Sequence, residues 1–214
     1  MKISFRAARK DLLSCVVDAK TNIANLEYVE MERVRCYEEE QHRQVLAKLA
    51  TIERPYRHLP DMDSWLSQYR DDRPMDRYKF LVLDGPSRVG KTRFVQNKLV
   101  SNPATALILD CADAVVPALK GNFSRQEHKL IMFDEAHAEM VIRCKKLFQA
   151  SVNPTTYGSS PTNVFVHTVW LHGIKLVIGS NVWQQELRQL PKAQAEWIQE
   201  NSVYIPISTP LWIE

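Results

Sequence analysis

Apolar positions in residues 6–52 fall at loosely helical intervals, at Leu12, Val16, Ile23 and Leu26 and again at Val45, Leu46, Leu49 and Ile52. No glycine precedes Gly85 and no proline precedes Pro55, so nothing in this stretch breaks a helix. The pattern predicts one long helix or a helical hairpin. The apolar seam is interrupted between Tyr28 and Cys36, which argues against a regular coiled coil. An amphipathic helix must bury its stripe against something. Two surfaces fit: the main body of the chain, or a partner reached through an oligomerisation or partner-binding arm.

The pattern changes twice more. ERPYRHLPDMD carries two prolines, Asp63 or Ser64 can cap a short helix running through Trp65 to Tyr69, and DDRPMDR follows as a charged loop. From Lys79 onward, short apolar runs alternate with amphipathic stretches. Strands are predicted at Lys79–Asp84, Ala106–Asp110, Leu130–Phe133, Ile174–Gly179 and Val203–Ile207. Helices are predicted at Lys91–Ser101, Ala138–Ala150 and Trp183–Glu200, the last bending or restarting at Pro191. Such alternation predicts an α/β fold, a mostly parallel five-stranded sheet with helices on both faces. The chain then divides into a helical N-terminal arm (1–54), a connector (55–77) and the α/β domain (78–214).

Composition narrows the function classes. Apolar residues make up 45% of the 214 and charged ones 25%, which supports a packed core rather than a disordered tail. No apolar run approaches the roughly 18 residues of a membrane span. The start, MKISFRAARKDLL, is charged too early for a secretory signal. The four cysteines, Cys15, Cys36, Cys111 and Cys144, form no CxxC pair, so neither a disulfide framework nor a zinc site is expected. An intracellular protein, cytoplasmic or nuclear, is the expectation. A net charge of +3 permits nucleic-acid contact without predicting it.

The strongest chemistry is Gly85-Pro86-Ser87-Arg88-Val89-Gly90-Lys91-Thr92, a full match to G-x-x-x-x-G-K-[ST]. Glycines allow the tight turn that converges backbone N–H groups on an anion. A helix starting at Lys91 adds the positive end of its dipole. Lys91 supplies a charge for the β- and γ-phosphates of ATP, and Thr92 a hydroxyl for Mg²⁺. The motif follows the apolar run YKFLVLD and opens the amphipathic stretch RFVQNKLV, as a P-loop NTPase requires.

Leu130-Ile131-Met132-Phe133-Asp134-Glu135 is four apolar residues followed by two acids, a Walker B pattern. A buried strand would carry Asp134 to the Mg²⁺ shell and Glu135 to the attacking water. The alternative is an Asp that caps the following helix. Ile174 to Asn181 is an apolar strand ending in Ser-Asn, and the Asn181 amide can donate to phosphate and accept from water. Its alternative is a cap on the helix beginning near Trp183. His137 is expected on the first turn of the helix after the acids. Trp170, Trp183 and Trp197 are expected to be core residues rather than base-stacking platforms.

With these pieces in this order, Tyr78 to Ile207 resembles the ATPase domain of superfamily-3 helicases, a branch of the AAA+ class. It is most similar to the replication-initiator (Rep) proteins of small circular single-stranded DNA viruses and their cellular relatives. GPSRVGKTRF, LIMFDE, VIGSN followed by Trp183, and WIQENSVYIPI carry the likeness. The resemblance implies ATP hydrolysis with Mg²⁺, a ring-like homo-oligomer and 3′-to-5′ unwinding of DNA. It assigns phosphate and metal to Lys91 and Thr92, metal and water to Asp134 and Glu135, and a sensor role to Asn181. It also calls for an arginine finger from a neighbouring subunit, for which the segment after Asn181 offers Arg188. Arg88, inside the loop, could face phosphate or solvent.

The chain departs from that family in two places. Residues 1–77 hold no paired-histidine strand with a catalytic tyrosine, so origin nicking is not expected. The segment from Asn153 to Ile174, where the family carries a basic DNA-gripping hairpin, contains no Lys or Arg. Its counterion-release contribution to DNA binding would be small. Two other functions therefore stay in view. One is a nucleotide-dependent switch or scaffold that binds a protein partner through the N-terminal helices, and the other a small-molecule kinase.

Overall fold

The computed structural model describes residues 23–50, 55–70, 72, 74–158 and 166–213. The chain divides into two compact units, Met1–Ile52 and Glu53–Glu214. In the first, α1 (Ile23–Ala50) is a single 28-residue helix. Its sequence offers no clean stripe, and Met31, Val34 and Tyr37 are all exposed. Arg35 pairs with Glu32 and Glu39, and Arg43 with Glu40, at helical spacing. The expected helical positions at Leu12, Val16 and Ile52 lie outside the described residues.

In the second unit, α2 (Pro60–Ser67) starts three residues before the expected cap. Leu59 holds the N-cap position, and Pro60 opens the helix, where a missing N–H costs nothing. Met62 and Trp65 are buried, and the Trp65 indole N–H donates to the Lys79 carbonyl at 2.7 Å.

The sheet contains β1 (Phe80–Asp84), β2 (Ala106–Asp110), β3 (Leu130–Asp134), β6 (Lys175–Ser180) and β7 (Ser202–Pro206), all parallel, in the order β2-β3-β6-β1-β7. The runs FLVL and LIMF that lead to Asp84 and Asp134 are apolar throughout because both faces are covered. Phe80 and Val82 enter one core with Phe148, Ile178 and Trp183, and Leu81 and Leu83 enter the other with Trp65, Phe94 and Val177. The chain leaves β1 through α3 (Lys91–Lys98) toward β2, and leaves β6 through α6 (Trp183–Gln189) and α7 (Lys192–Asn201) toward β7 on the other side. Those opposite departures open a crevice at the carboxyl ends of β1, β6 and β3, the usual place for a ligand in an open α/β sheet.

Two helices are shorter than periodicity predicts. α3 ends at Lys98 rather than Ser101. The expected Ala138–Ala150 helix is two, α4 (Ala138–Arg143) and α5 (Lys145–Phe148), broken at Cys144. The third predicted helix divides at Pro191 as expected: α6 stops before Leu190, which is extended at ψ 151 because Pro191 follows it, and α7 resumes at Lys192. Between α5 and β6 an antiparallel pair, β4 (Thr155–Gly158) and β5 (Val166–Val169), occupies the segment without Lys or Arg. No helix among the described residues is long and apolar enough to cross a membrane. Cys111 and Cys144 are buried free thiols and Cys36 an exposed one, while Cys15 lies outside the described residues.

Candidate functional site

The loop from Gly85 to Thr92 joins β1 to α3 and is held from both ends. A Cβ on Gly85 would fall 2.0 Å from the Ile207 carbonyl oxygen, so only glycine fits against that strand exit. Gly90 has φ 89 and packs against the Trp212 ring, where a Cβ would meet a ring carbon at 2.4 Å. Leu211 N–H donates to the Val89 carbonyl at 2.9 Å. Arg88 is exposed with φ 66, a left-handed backbone that a non-glycine residue rarely adopts. Among the described residues, no protein acceptor takes the backbone N–H groups of residues 87–92. Pro86 has no N–H, and the Gly85 N–H donates to Ser180 O. A turn of free N–H groups at the start of a helix is a set of donors for an anion.

Lys91 is 6% exposed, yet its ammonium is fully used. Nζ donates to Gly85 O at 2.7 Å, Pro86 O at 3.1 Å and Asn181 Oδ1 at 2.7 Å. Burial lowers its pKa from the ordinary lysine value, and Glu135, Asp134 and Asp84 oppose that shift.

The acids arrive on β3. Asp134 accepts the Thr92 hydroxyl at 2.9 Å. Burial raises its pKa above the usual carboxylate range, with Thr92 and Lys91 pulling the other way. Glu135 has φ 55, again left-handed. Both its oxygens accept from Asn181 Nδ2, at 2.8 and 2.6 Å. One carboxamide, at the tip of the strand between β1 and β3, thus joins the lysine of the loop to the second acid. The turn's backbone is tied as well, Cys111 N–H to Asp134 O at 2.8 Å and Ala136 N–H to Gly179 O at 3.2 Å. The neighbouring Cys111 thiol is pushed up to about 12 by burial and by Asp110 and Asp134, so it is no nucleophile.

The capping alternatives do not hold. Asn181 leaves α6 uncapped, because Asp84 takes that role from the tip of β1. Asp84 Oδ1 accepts from Trp183 N–H at 3.1 Å and Oδ2 from Gln184 N–H at 3.4 Å, while Tyr204 OH donates to Oδ2 at 3.0 Å. Asp134 does not cap α4 either. His137 occupies the cap position just outside the helix rather than its first turn, and Glu186 Oε2 accepts the Ala138 N–H at 2.8 Å. The other Glu186 oxygen bonds His137 Nδ1, and His137 Nε2 bonds Ala112 O at 2.8 Å. Both partners of that ring are acceptors, so both nitrogens donate, which describes an imidazolium. Its pKa is raised, chiefly by Glu186.

Asp84, Glu186 and Tyr204 escaped the sequence reading. Acids at a strand end and in a helix are common, and no spacing marks them as partners of distant N–H groups. Arg188 is exposed on α6, and among the described residues no hydrogen bond or ion pair ties it to the Lys91–Glu135 cluster. Trp183 is buried as expected. Trp170 is instead 42% exposed, with the Arg125 guanidinium 4.0 Å over its ring.

Oxygen ligands from a hydroxyl and a carboxylate 2.9 Å apart suit Mg²⁺, which keeps most of its shell for water and phosphate. Among the described residues, no group of three or more His, Cys, Asp or Glu is placed to hold a metal ion.

No family model matches the chain, and no curated protein matches it. Among solved structures it is similar to a protein of Streptococcus pyogenes serotype M3 provisionally described as a primosome component, at 14% identity and a TM-score of 0.36 over 72% of this chain and 83% of that one.

Proposed function

We propose that the α/β unit is a Mg²⁺-dependent ATPase of the P-loop class, the catalytic domain of a Rep-like superfamily-3 helicase that assembles as a homo-oligomeric ring and acts on single-stranded DNA. The observation that carries the ATPase reading is the bridge Lys91–Asn181–Glu135 beside the Thr92–Asp134 pair. It brings a phosphate-binding cation, a carboxylate base, a carboxamide and oxygen ligands for a metal to adjoining strand tips. The helicase and ring rest on the sequence resemblance.

In this reading the free N–H groups of residues 87–92 take the phosphate oxygens. Lys91 exchanges a loop carbonyl for phosphate, a trade favoured by its burial. Mg²⁺, held by Thr92 and Asp134, supplies charge neutralisation for the β- and γ-phosphates when bound. Glu135 accepts a proton from the attacking water, and Asn181 keeps that carboxylate aimed and donates to the γ-phosphate. Arg188 of one subunit reaches the neighbour's site.

The test is phosphate release from ATP and Mg²⁺ with the full chain. Lys91→Ala should abolish nucleotide binding, whereas Glu135→Gln should retain binding and lose turnover. Turnover that rises with single-stranded DNA and with protein concentration supports the helicase. Hydrolysis indifferent to both supports the switch or scaffold, which the lack of Lys and Arg through the β4–β5 segment favours. No binding of ATP at all refutes both.

A further inference from the structure

Helix α6 is tied to both acidic sides of the cluster through carboxylates that the proposed chemistry does not use. Asp84, beside the phosphate loop, receives its first N–H groups. In its middle, Glu186 reaches the turn after β3, bonding His137 Nδ1 with one oxygen and Ala138 N–H, at 2.8 Å, with the other. That turn contains Glu135 in the left-handed region, at φ 55. Glutamate does not hold such a backbone unaided, because its Cβ crowds the neighbouring carbonyl. The residues on either side must over-determine it. Asp134 is fixed through Cys111 N–H and Ala136 through Gly179 O, and the next two residues, His137 and Ala138, are fixed by Glu186. His137 is anchored a second time, to Ala112 O at the exit of β2.

The geometry points to Glu186 as a positioning residue for the reaction. By clamping His137 and Ala138 it maintains the turn that aims the Glu135 carboxylate at the Asn181 amide. The inference rests on the reading of Glu135 as the group that activates water. It assigns Glu186 no contact with nucleotide. Its ion pair with His137 is half of the clamp, and its bond to the α4 N-terminus is the other half.

Two variants test it, Glu186→Ala, which removes both acceptors, and Glu186→Gln, which keeps one acceptor oxygen. In Glu186→Ala, ATP turnover should fall about tenfold or more while ATP affinity stays within about twofold. Glu186→Gln should recover part of the loss. In a Glu135→Gln background, Glu186→Ala should lower the residual turnover no further, since the group it positions is gone. A nucleotide-free measurement stands beside these. Amide exchange at Ala136 should quicken in Glu186→Ala, although Ala136 does not bond Glu186, while exchange at Leu81 and Ile131 stays unchanged. Unchanged turnover, unchanged exchange at Ala136, or an undiminished loss in the Glu135→Gln background would overturn the proposal, the last by leaving Glu186 only a helix cap. If the wild-type chain binds ATP without hydrolysing it, the catalytic reading of Glu135 falls and takes the positioning role with it. The exchange result then shows only whether the clamp exists.

Discussion

Asn181→Ala removes the one side chain that joins the lysine of the loop to the second acid. Lys91 loses an acceptor at 2.7 Å but keeps the Gly85 and Pro86 carbonyls. Glu135 loses its donor at both oxygens. A hydrogen bond to a charged group contributes about 1.5–3 kcal/mol. Glu135 is only half-buried, so water replaces much of what it loses, and the cost in stability should be nearer about 1 kcal/mol. The effect on the reaction is larger. A positioned general base contributes about 10²–10⁴-fold, and a Glu135 free to rotate forfeits the lower part of that range. Turnover should therefore fall about 100-fold, equivalent to about 2.7 kcal/mol of transition-state stabilisation. Nucleotide affinity should fall by much less than turnover, because Lys91 and the loop N–H groups remain and only the Asn181 donor to the γ-phosphate is lost. Asn181→Asp separates the two roles: it keeps an acceptor for Lys91, removes the donor to Glu135, and sets two carboxylates together. Phosphate release at saturating ATP, ATP titration calorimetry and urea unfolding give the needed quantities. Turnover retained within about twofold in Asn181→Ala, or a loss of affinity as large as the loss of turnover, would refute the reasoning.

Gly85→Ala places a methyl 2.0 Å from a backbone oxygen of Ile207 that cannot swing aside, so urea unfolding should show a loss of about 1–3 kcal/mol or more. The His137 imidazolium is stabilised in the native state by Glu186 and Ala112, which raises its folded pKa above its unfolded value near 6.5. Its contribution is thus complete below the unfolded pKa and fades as pH climbs through the folded one. The stability difference between the wild type and His137→Asn, measured by urea unfolding across pH, should shrink from acid toward alkaline conditions; a difference that grows with pH contradicts the pair. Arg188→Ala should lower turnover without altering ATP affinity, and an unaffected rate removes Arg188 as a finger.

Legibility tracked burial. β1, β3 and β6 lie within one residue of their apolar runs, because strands covered on both faces admit nothing else. The polar residues that end those runs, Asp134, Glu135 and Asn181, are the ones the fold brings together. Helix boundaries were less readable where no proline marks them: Pro191 announces the break between α6 and α7, but periodicity continues through Cys144 while the backbone does not. The β4–β5 pair was hidden, since Thr155 to Gly158 is too polar and short to stand out as a strand. Asp84 and Glu186 were beyond reach for a different reason. Each acts on an N–H group 48 to 100 positions away, and nothing in local spacing carries that information.

Two of the three described non-glycine residues with positive φ, Arg88 and Glu135, lie on opposite sides of the same cluster, in the loop after β1 and the turn after β3; the third, Ala150, follows α5. Each such backbone costs about 1–2 kcal/mol relative to the ordinary basins, so each persists only where its surroundings compensate. Around Arg88 the compensation is structural: Lys91 pins the two carbonyls that open the loop, and Leu211 pins Val89. A Lys91 variant therefore loses a loop brace as well as a charge, so its binding defect should come with faster exchange at Leu211, whose N–H donates to the Val89 carbonyl. Around Glu135 the brace comes from separate elements, β6 through Gly179 and α6 through Glu186. The two residues that supply this brace, Gly179 and Glu186, make no hydrogen bond to the loop among the described residues. Substitutions that disturb the acid turn should consequently alter turnover with little effect on nucleotide affinity. Those that disturb the loop should alter both, and this asymmetry is the kinetic signature to look for across the whole set of variants.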